Sequence, residues 1–527
     1  MNFITNHTLA LTPLSPIHIG SGEDIDPTSY VIQNGILHQF DTSLADLSKP
    51  QIVDLNKIID TDPIDIKKLQ GFFFRNQSTF LPYTHTLLPV VKGVVDQYQG
   101  QINPRPTQRK LPGQNNQLAI EQHIVSGGLK KQAYIPGSSL KGMLVTAWVD
   151  AINHGRAVPR GTESKVVQDR LGGNFDKSPM RFFKPSDLMP TGDLIRRVWI
   201  ATNHYKVQRQ GQPKGVQTRK DCIEYGQYRA LTGSLSLQQP TAARHAAEKL
   251  PATSLPSLVD LCHYVNRYHL PRFEQEIQLM LARGVVDKSW VDNVRRLLHG
   301  ELQPLLQSGR ACLVRLGRYC GAESKTLSNA AQIKIMQGHG RHLFLPQTKT
   351  FWLACEQTSG TVGVPFGWAL LEWDPIEPLP QLKKWCEQQS PVQLASRQQQ
   401  LAEQRALAME AKAEKQREQQ QIEQARLAAA IAAQQHQAKL MSLSPQQQQL
   451  EHIKEEWART PKQANTGNPL FNKVYQLLIE AVANPDVWTQ LERADLAATF
   501  SIKNLEAKFT SLGKKKTDLK QLLSQLH

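Results

Sequence analysis

Tyr134-Ile135-Pro136-Gly137-Ser138-Ser139-Leu140-Lys141-Gly142 is the stretch on which the reading of this chain turns. Pro136-Gly137 turns the backbone. Ser138 or Ser139 then serves as a helix cap, because a short hydroxyl side chain accepts from the free N–H groups of a first turn. The spacing of Leu140, Met143, Leu144 and Trp148 predicts the helix that follows. Lys141 falls in its first turn. A helix N-terminus offers unpaired N–H groups and partial positive charge, so Gly137, Ser138, Ser139 and Lys141 form a candidate phosphate site. The pattern lacks the Gly-x-x-x-x-Gly-Lys-Ser/Thr of a Walker A loop, so nucleotide hydrolysis is not supported.

Three further glycine-rich stretches flank this one. His18-Ile19-Gly20-Ser21-Gly22 precedes Glu23, Asp24 and Asp26. Its glycines free the backbone to turn and present amides to an anion, with His18 and Ser21 beside them. Arg315-Leu316-Gly317-Arg318 runs on to Gly321 and Lys325-Thr326, and Gly360, Gly363 and Gly367 lead into Trp368. Each sets glycine beside a basic or aromatic side chain. Viewed singly, each is also compatible with an ordinary turn, and a histidine between two isoleucines is more often structural than catalytic.

Around these motifs the pattern is mixed. Asn34-Gly35 between Tyr30-Val31-Ile32 and Ile36-Leu37 predicts a hairpin. Arg196–Ile200, Leu231–Leu237, Ala311–Leu316, Phe351–Ala354 and Trp368–Trp373 read as strands, and residues 256–306 carry helical spacing. Residues 96–130 and Lys206–Lys220 read as loops. The class is α+β, without a repeating βαβ unit.

With 527 residues the chain has room for about three domains, and Lys plus Arg total 62 against 46 acids, a net charge of +16. Such an excess attracts polyanions, above all nucleic acid. No apolar run is long enough for a membrane span, and no signal peptide is expected. The six cysteines form no CxxC pair, which fits a reduced, cytoplasmic protein without a zinc site. Neither a metal nor a cofactor is expected.

The composition changes after Trp373. Pro375, Pro378 and Pro380 punctuate a linker, and Pro391 follows the helix-capping Ser390. From there to Ser444 the chain is rich in Ala, Gln, Glu, Lys and Arg, a solvated helix of roughly 80 Å. Residues 446–527 read as a small helical module.

The nonamer YIPGSSLKG resembles the helix start of the RAMP superfamily. The opening SPIHIGSGEDIDPTSYVI is similar to that of the fifth-subunit family of type III-A CRISPR Csm complexes. RLGRYCGAESKT and GVPFGWALLEW resemble that family's central and C-terminal Gly-rich loops. These motifs occur in the family's order over residues 1 to about 375. The resemblance implies two ferredoxin-like (RRM-related) RAMP domains, 1–240 and 241–375, followed by a linker and long helix (376–445) and the helical module (446–527). It implies a crRNA-binding structural subunit that caps the crRNA 3′ end and supports crRNA maturation and assembly. Its partners would be crRNA, the backbone RAMP subunit, the small helical subunit and nearby target RNA. The expected RNA contacts are His18, Gly20, Ser21, Gly22, Gly137, Ser138, Ser139, Lys141, Arg315, Gly317, Arg318, Gly321, Lys325, Gly363 and Gly367. No RNP1 motif is legible, so no base-stacking aromatic is named.

Two alternatives remain at this level. A ribonuclease acting on crRNA or target RNA would use Asp24 or Asp26, which lie where related backbone subunits carry a catalytic loop aspartate, but no acid–base partner is identifiable beside them. An adaptor would recruit a partner protein through the C-terminal helices.

Overall fold

The computed structural model describes residues 4–526 except 62–63, 103–117, 128–130, 160, 172–176, 208–214, 239–254, 339–340, 359–361, 390–393, 462–466 and 511. The chain divides into two compact units, residues 1–406 and 407–527.

The strands of the first unit are, in order, β1 (Ile4–Pro13), β2 (Gly20–Ile25), β3 (Tyr30–Gln33), β4 (Ile36–Phe40), β5 (Thr84–Pro89), β6 (Ile120–His123), β7 (Phe183–Pro185) and β8 (Met189–Pro190). Then come β9 (Arg196–Tyr205), β10 (Gln217–Ile223), β11 (Leu231–Gln238), β12 (Ala311–Arg315), β13 (Ile333–Gly338), β14 (Arg341–Leu345), β15 (Thr350–Cys355), β16 (Gly363–Pro365) and β17 (Trp368–Trp373). Two six-stranded sheets dominate. One runs β12-β17-β1-β11-β7 with β8 also on β11, and the other runs β16-β15-β9-β10-β6-β2. The predicted hairpin is present, with Gln33 opposite Ile36. Its Asn34 and Gly35 have φ of 52° and 74°, the two positive values that a type I′ turn requires.

The first sheet lies between two apolar cores. On one side Leu9, Leu11, Leu235, Val314 and Leu371 pack with Leu140, Leu144 and Trp148 of helix Gly137–Asn153 and with Leu261, Val265 and Tyr268 of helix Leu258–Ala282. On the other, Leu313, Trp368 and Leu370 join Val198, Ile200 and Leu353 of the second sheet and Val291 and Val294 of helix Lys288–His299. Burial on both faces explains why WALLEW reads as a nearly continuous apolar run. Its exception, Glu372, is buried against Arg229, whose guanidinium donates to both carboxylate oxygens at 3.0 and 2.8 Å.

Several expectations need correction. Both large sheets take strands from residues 1–240 and from 241–375, so the chain does not change sheets at residue 240. The stretch 96–130, read as a loop, contains the end of helix Lys92–Ile102 and strand β6, because Tyr98 and Ile120 are apolar enough to be buried in the core. Lys206–Lys220 likewise includes the start of β10. Most consequential is the segment taken for a linker. Helix Pro380–Gln388 buries Leu382, Trp385 and Cys386 in the main core. The long helix spans Ala395–Met441, and Leu401 is buried in a cluster with Phe40, Phe72 and Phe80. The second unit has a helical core of its own around Phe471, Leu478, Trp488 and Phe500. No helix among the described residues is long and apolar enough to cross a membrane.

Burial also sets an acid sensitivity. His269 is completely buried, with neither ring nitrogen hydrogen-bonded among the described residues. Desolvation, followed by the positive charge of Arg272, holds its pKa down to about 3. Its folded-state pKa is thus below the unfolded value near 6.5, so the unfolded chain takes the proton first as pH falls. The stabilising effect is intact above about pH 6.5 and is lost toward pH 3. Buried Glu224, held up to about 7, acts in the opposite sense over the same range. The effect of His269 is isolated by His269→Leu, close in volume. Between pH 7 and pH 5 this variant should lose about 2 kcal/mol less stability than the wild type. Urea unfolding at the two pH values measures the difference, and equal losses in both proteins would refute the assignment.

Candidate nucleic-acid interface

The four motifs, scattered over some 350 residues of sequence, meet in space. Backbone hydrogen bonds tie their loops together. Arg318 N donates to His18 O at 2.8 Å, Gly367 N to Pro16 O at 2.9 Å and Leu316 N to Gly367 O at 2.8 Å. The approach is so close that two positions require glycine. A Cβ on Gly317 would lie 2.4 Å from His18 O, and one on Gly367 would lie 2.3 Å from Leu316 O. Both residues also have positive φ, 92° and 87°, where a side chain is strained whatever the space.

Beside this crossing lies a cleft of about 380 Å³, lined by Gly20, Ser138, Ser139, Arg315, Gly317, Arg318 and Lys325 among others. Seven of the fifteen expected contact residues therefore share one surface. Gly321 lines an adjoining cavity, again with Arg318 and Lys325. The remaining seven lie outside both linings. Gly363 is packed against Ala354 O, and Gly367 belongs to the crossing itself. Ser21 and Gly22 are exposed on β2, where the pairing with β6 slips by a bulge between Gly20 and Asp24. Gly360 lies outside the described residues.

The helix start differs from the expected one in detail. Pro136 holds the cap position and helix Gly137–Asn153 has no side-chain cap, so Ser138 and Ser139 stand inside its first turn. Gly137 is buried, and its N–H donates to Asp187 Oδ1 at 2.7 Å. Lys141 is half-buried and donates to Met180 O at 2.7 Å, and burial lowers its pKa. This ammonium is thus tied to the protein, while Ser138 and Ser139 line the cleft. His18 and Arg315 are likewise engaged within the protein. His18 is fully buried, with Nδ1 2.7 Å from Asp221 O. Arg315 pairs with Glu276 at 2.8 Å, donates to Phe366 O and stacks over Trp368. Its exposure is only 8%. The exposed cations at the cleft are thus Arg318, whose side chain is 58% exposed, and Lys325, exposed and without an ion-pair partner among the described residues.

Beneath Arg318 lies a hub that no sequence motif announces. The Glu121 carboxylate accepts from Arg318, from Lys220 and, at 2.9 Å, from Tyr319 Oη. His18 Nε2 lies 3.4 Å away. His18, Lys220 and Tyr319 together hold the Glu121 carboxyl well below the usual carboxylate range against the opposing effect of burial. Glu121 therefore stays ionised and fixes the guanidinium of Arg318 at the cleft rim. It was missed because it sits on a four-residue strand in a stretch read as loop, with partners 99 and 197 residues away.

The aspartates of the nuclease alternative are placed differently. Asp26 Oδ1 accepts from Thr28 N and Oγ1 at 2.7 and 2.5 Å, a turn-stabilising arrangement. Asp24 is exposed at the bulge of β2. Among the described residues no three His, Cys, Asp or Glu side chains converge to hold a metal ion.

Residues 10–204 match the family model of the RAMP superfamily. Among solved structures it is similar to a chain of a Csm–crRNA–target RNA ternary complex of a type III-A CRISPR-Cas system. That likeness has 18% identity and a TM-score of 0.40, covering 70% of this chain and 100% of the other. It is also similar to T. onnurineus Csm5, with 16% identity and a TM-score of 0.39, covering 69% of this chain and 99% of that one. Comparison with curated proteins gave no match.

Proposed function

We propose that this chain is a crRNA-binding structural subunit of a type III-A CRISPR interference complex, cytoplasmic, capping the 3′ end of the crRNA and supporting its maturation and the assembly of the complex. The observation that carries the proposal is the convergence of the Gly-rich motifs and the YIPGSSLKG helix start on one cleft. Backbone, two serine hydroxyls and two exposed cations meet there, a donor set suited to phosphate. The overall charge of +16 and the RAMP-superfamily region agree with it. In this reading the backbone RAMP subunit and the small helical subunit are neighbours, target RNA passes nearby, and the role is structural rather than catalytic.

The strand order of the first sheet supports one ferredoxin-like domain, built from strands of both halves of the unit. Helix Gly137–Asn153 lies between β1 and β7 in sequence, and helix Leu258–Ala282 between β11 and β17. With spatial order β17-β1-β11-β7, that succession is the βαββαβ arrangement of a ferredoxin-like domain, with β12 added at the edge.

The test is RNA binding as a function of salt. Affinity for single-stranded RNA should fall as salt rises, with a log–log slope of roughly −0.7 for each phosphate neutralised. Arg318→Ala with Lys325→Ala should weaken binding and flatten the slope by about 1.4, as expected for two lost contacts. Binding that does not respond to salt in the wild type would refute the cleft as a phosphate site.

A further inference from the structure

The cavity that adjoins the phosphate cleft has a different character. Its volume is about 370 Å³, and its lining includes Trp352, Tyr319, Thr348 and Thr350 together with Arg318 and Lys325, the two cations it shares with the cleft. Trp352 lies on β15 between Phe351 and Leu353. Those two are buried in the core, whereas Trp352 is half-buried and points to the opposite face of the strand. The ring of Tyr319 meets it edge-on, with centroids 5.0 Å apart and planes at 67°.

Tyr319 is held there at a cost. Its φ of 66° lies in the left-handed region, where a bulky residue is an outlier. Three interactions fix the ring in return: Tyr319 Oη donates to Glu121, Lys220 lies 5.0 Å from the ring centroid, and Phe366 packs at 5.5 Å. The rim is rigid as well. Thr348 N and Oγ1 both donate to Glu323 Oε1, which also accepts from Lys206, and Asn203 Nδ2 donates to Thr350 Oγ1. The result is a preformed slot with an aromatic floor, an aromatic wall and hydroxyls at the edge. A planar, partly polar ring fits this slot, and the cations at its mouth demand an attached anion.

We propose that this chamber holds one unpaired nucleobase of the bound RNA, stacked on Trp352, while the phosphate of the same nucleotide lies against Arg318 and Lys325. The inference rests on the phosphate cleft proposed above and extends it to the base, which the cleft leaves unaccounted for. Stacking is tolerant of base identity, since every base has a π face. The chamber therefore adds affinity for single-stranded RNA without reading its sequence.

The experiment compares two probes on the full-length protein, a short oligouridylate and a ribose-phosphate oligomer of equal length without bases. Trp352→Ala should weaken binding of the oligouridylate by roughly 5- to 150-fold, the range for loss of one stacked base. Its affinity for the abasic oligomer and its salt slope should remain those of the wild type, and Trp352→Phe should keep most of the oligouridylate affinity. Equal affinity of wild type and Trp352→Ala for oligouridylate overturns the chamber. So does an equal loss for both oligomers. If in either case Arg318→Ala with Lys325→Ala still flattens the salt slope, the phosphate cleft survives alone. A wild type that binds neither oligomer in a salt-dependent way overturns both proposals. Photo-crosslinking of the wild type to 5-iodouracil RNA keeps the test decisive should Trp352→Ala not fold. The adduct is expected on Thr350–Cys355, and its absence there overturns the chamber.

Discussion

A chain ended at Pro375 is expected to be unfolded or insoluble, whereas one ended at Ala406 keeps its fold. The composition suggests the opposite economy, since everything after Trp373 reads as an appendage. The structure places helix Pro380–Gln388 in the main core, with Leu382 0% and Trp385 5% exposed and Leu379 6% exposed just before it. Two backbone N–H groups of its first turn, on Gln381 and Leu382, donate to Glu301 at 3.0 and 2.9 Å, and Leu379 N donates to Tyr228 Oη. Fully burying a large apolar side chain contributes about 1.5–3 kcal/mol. Losing three therefore removes about 5 kcal/mol or more, comparable with the whole stability of an ordinary domain. The cut at Ala406 spares these contacts and also Leu401. Circular dichroism melts and gel filtration of the two truncated chains measure the contrast. A cooperative, monomeric melt from the shorter chain would refute the integral role of residues 376–389. Under the proposed function, the longer chain also retains the affinity of the wild type for RNA.

Glu121→Ala is the substitution with the largest expected effect. It leaves Lys220, 5% exposed, with no ion-pair partner among the described residues, and it strips Tyr319 Oη of its acceptor. Removing one partner of a buried pair typically costs about 3–5 kcal/mol, because the remaining charge stays desolvated. Glu121→Gln retains an acceptor for Lys220 and Tyr319 and should lose less. The midpoint of urea unfolding reports both. A Glu121→Ala protein within about 1 kcal/mol of wild type would show that water replaces the carboxylate and that the hub is dispensable.

The sequence carries the Gly-rich loops well because their constraints are local. A glycine at positive φ, an Asn-Gly turn and a run such as WALLEW each announce a conformation within a few residues. It carries side-chain roles poorly because those depend on what lies opposite. His18, Arg315 and Lys141 look like ligand-facing residues in a motif, yet two are buried and the third is tied to Met180 O. Trp352 shows the converse. The apolar run Phe351–Ala354 marks a strand, but nothing in FWLAC says that one aromatic faces the core and the next an open slot. Glu121 is the extreme case, an unremarked acid whose importance comes entirely from residues that precede it by 103 positions or follow it by 99 and 197.

The sharing of sheets between the two halves of the first unit bears on how the chain is born. On one side β1 pairs with β11, Leu9 lying opposite Gly233; on the other it pairs with β17, Leu9 opposite Trp373. During synthesis at roughly 5–20 residues per second, the second edge of β1 waits on the order of 20–70 seconds for its partner to be made. Over that interval an apolar strand with unpaired amides stands open to other nascent chains. Slowing translation should lengthen the exposure and lower the yield of folded protein, even though the stability of the finished sheet is unchanged.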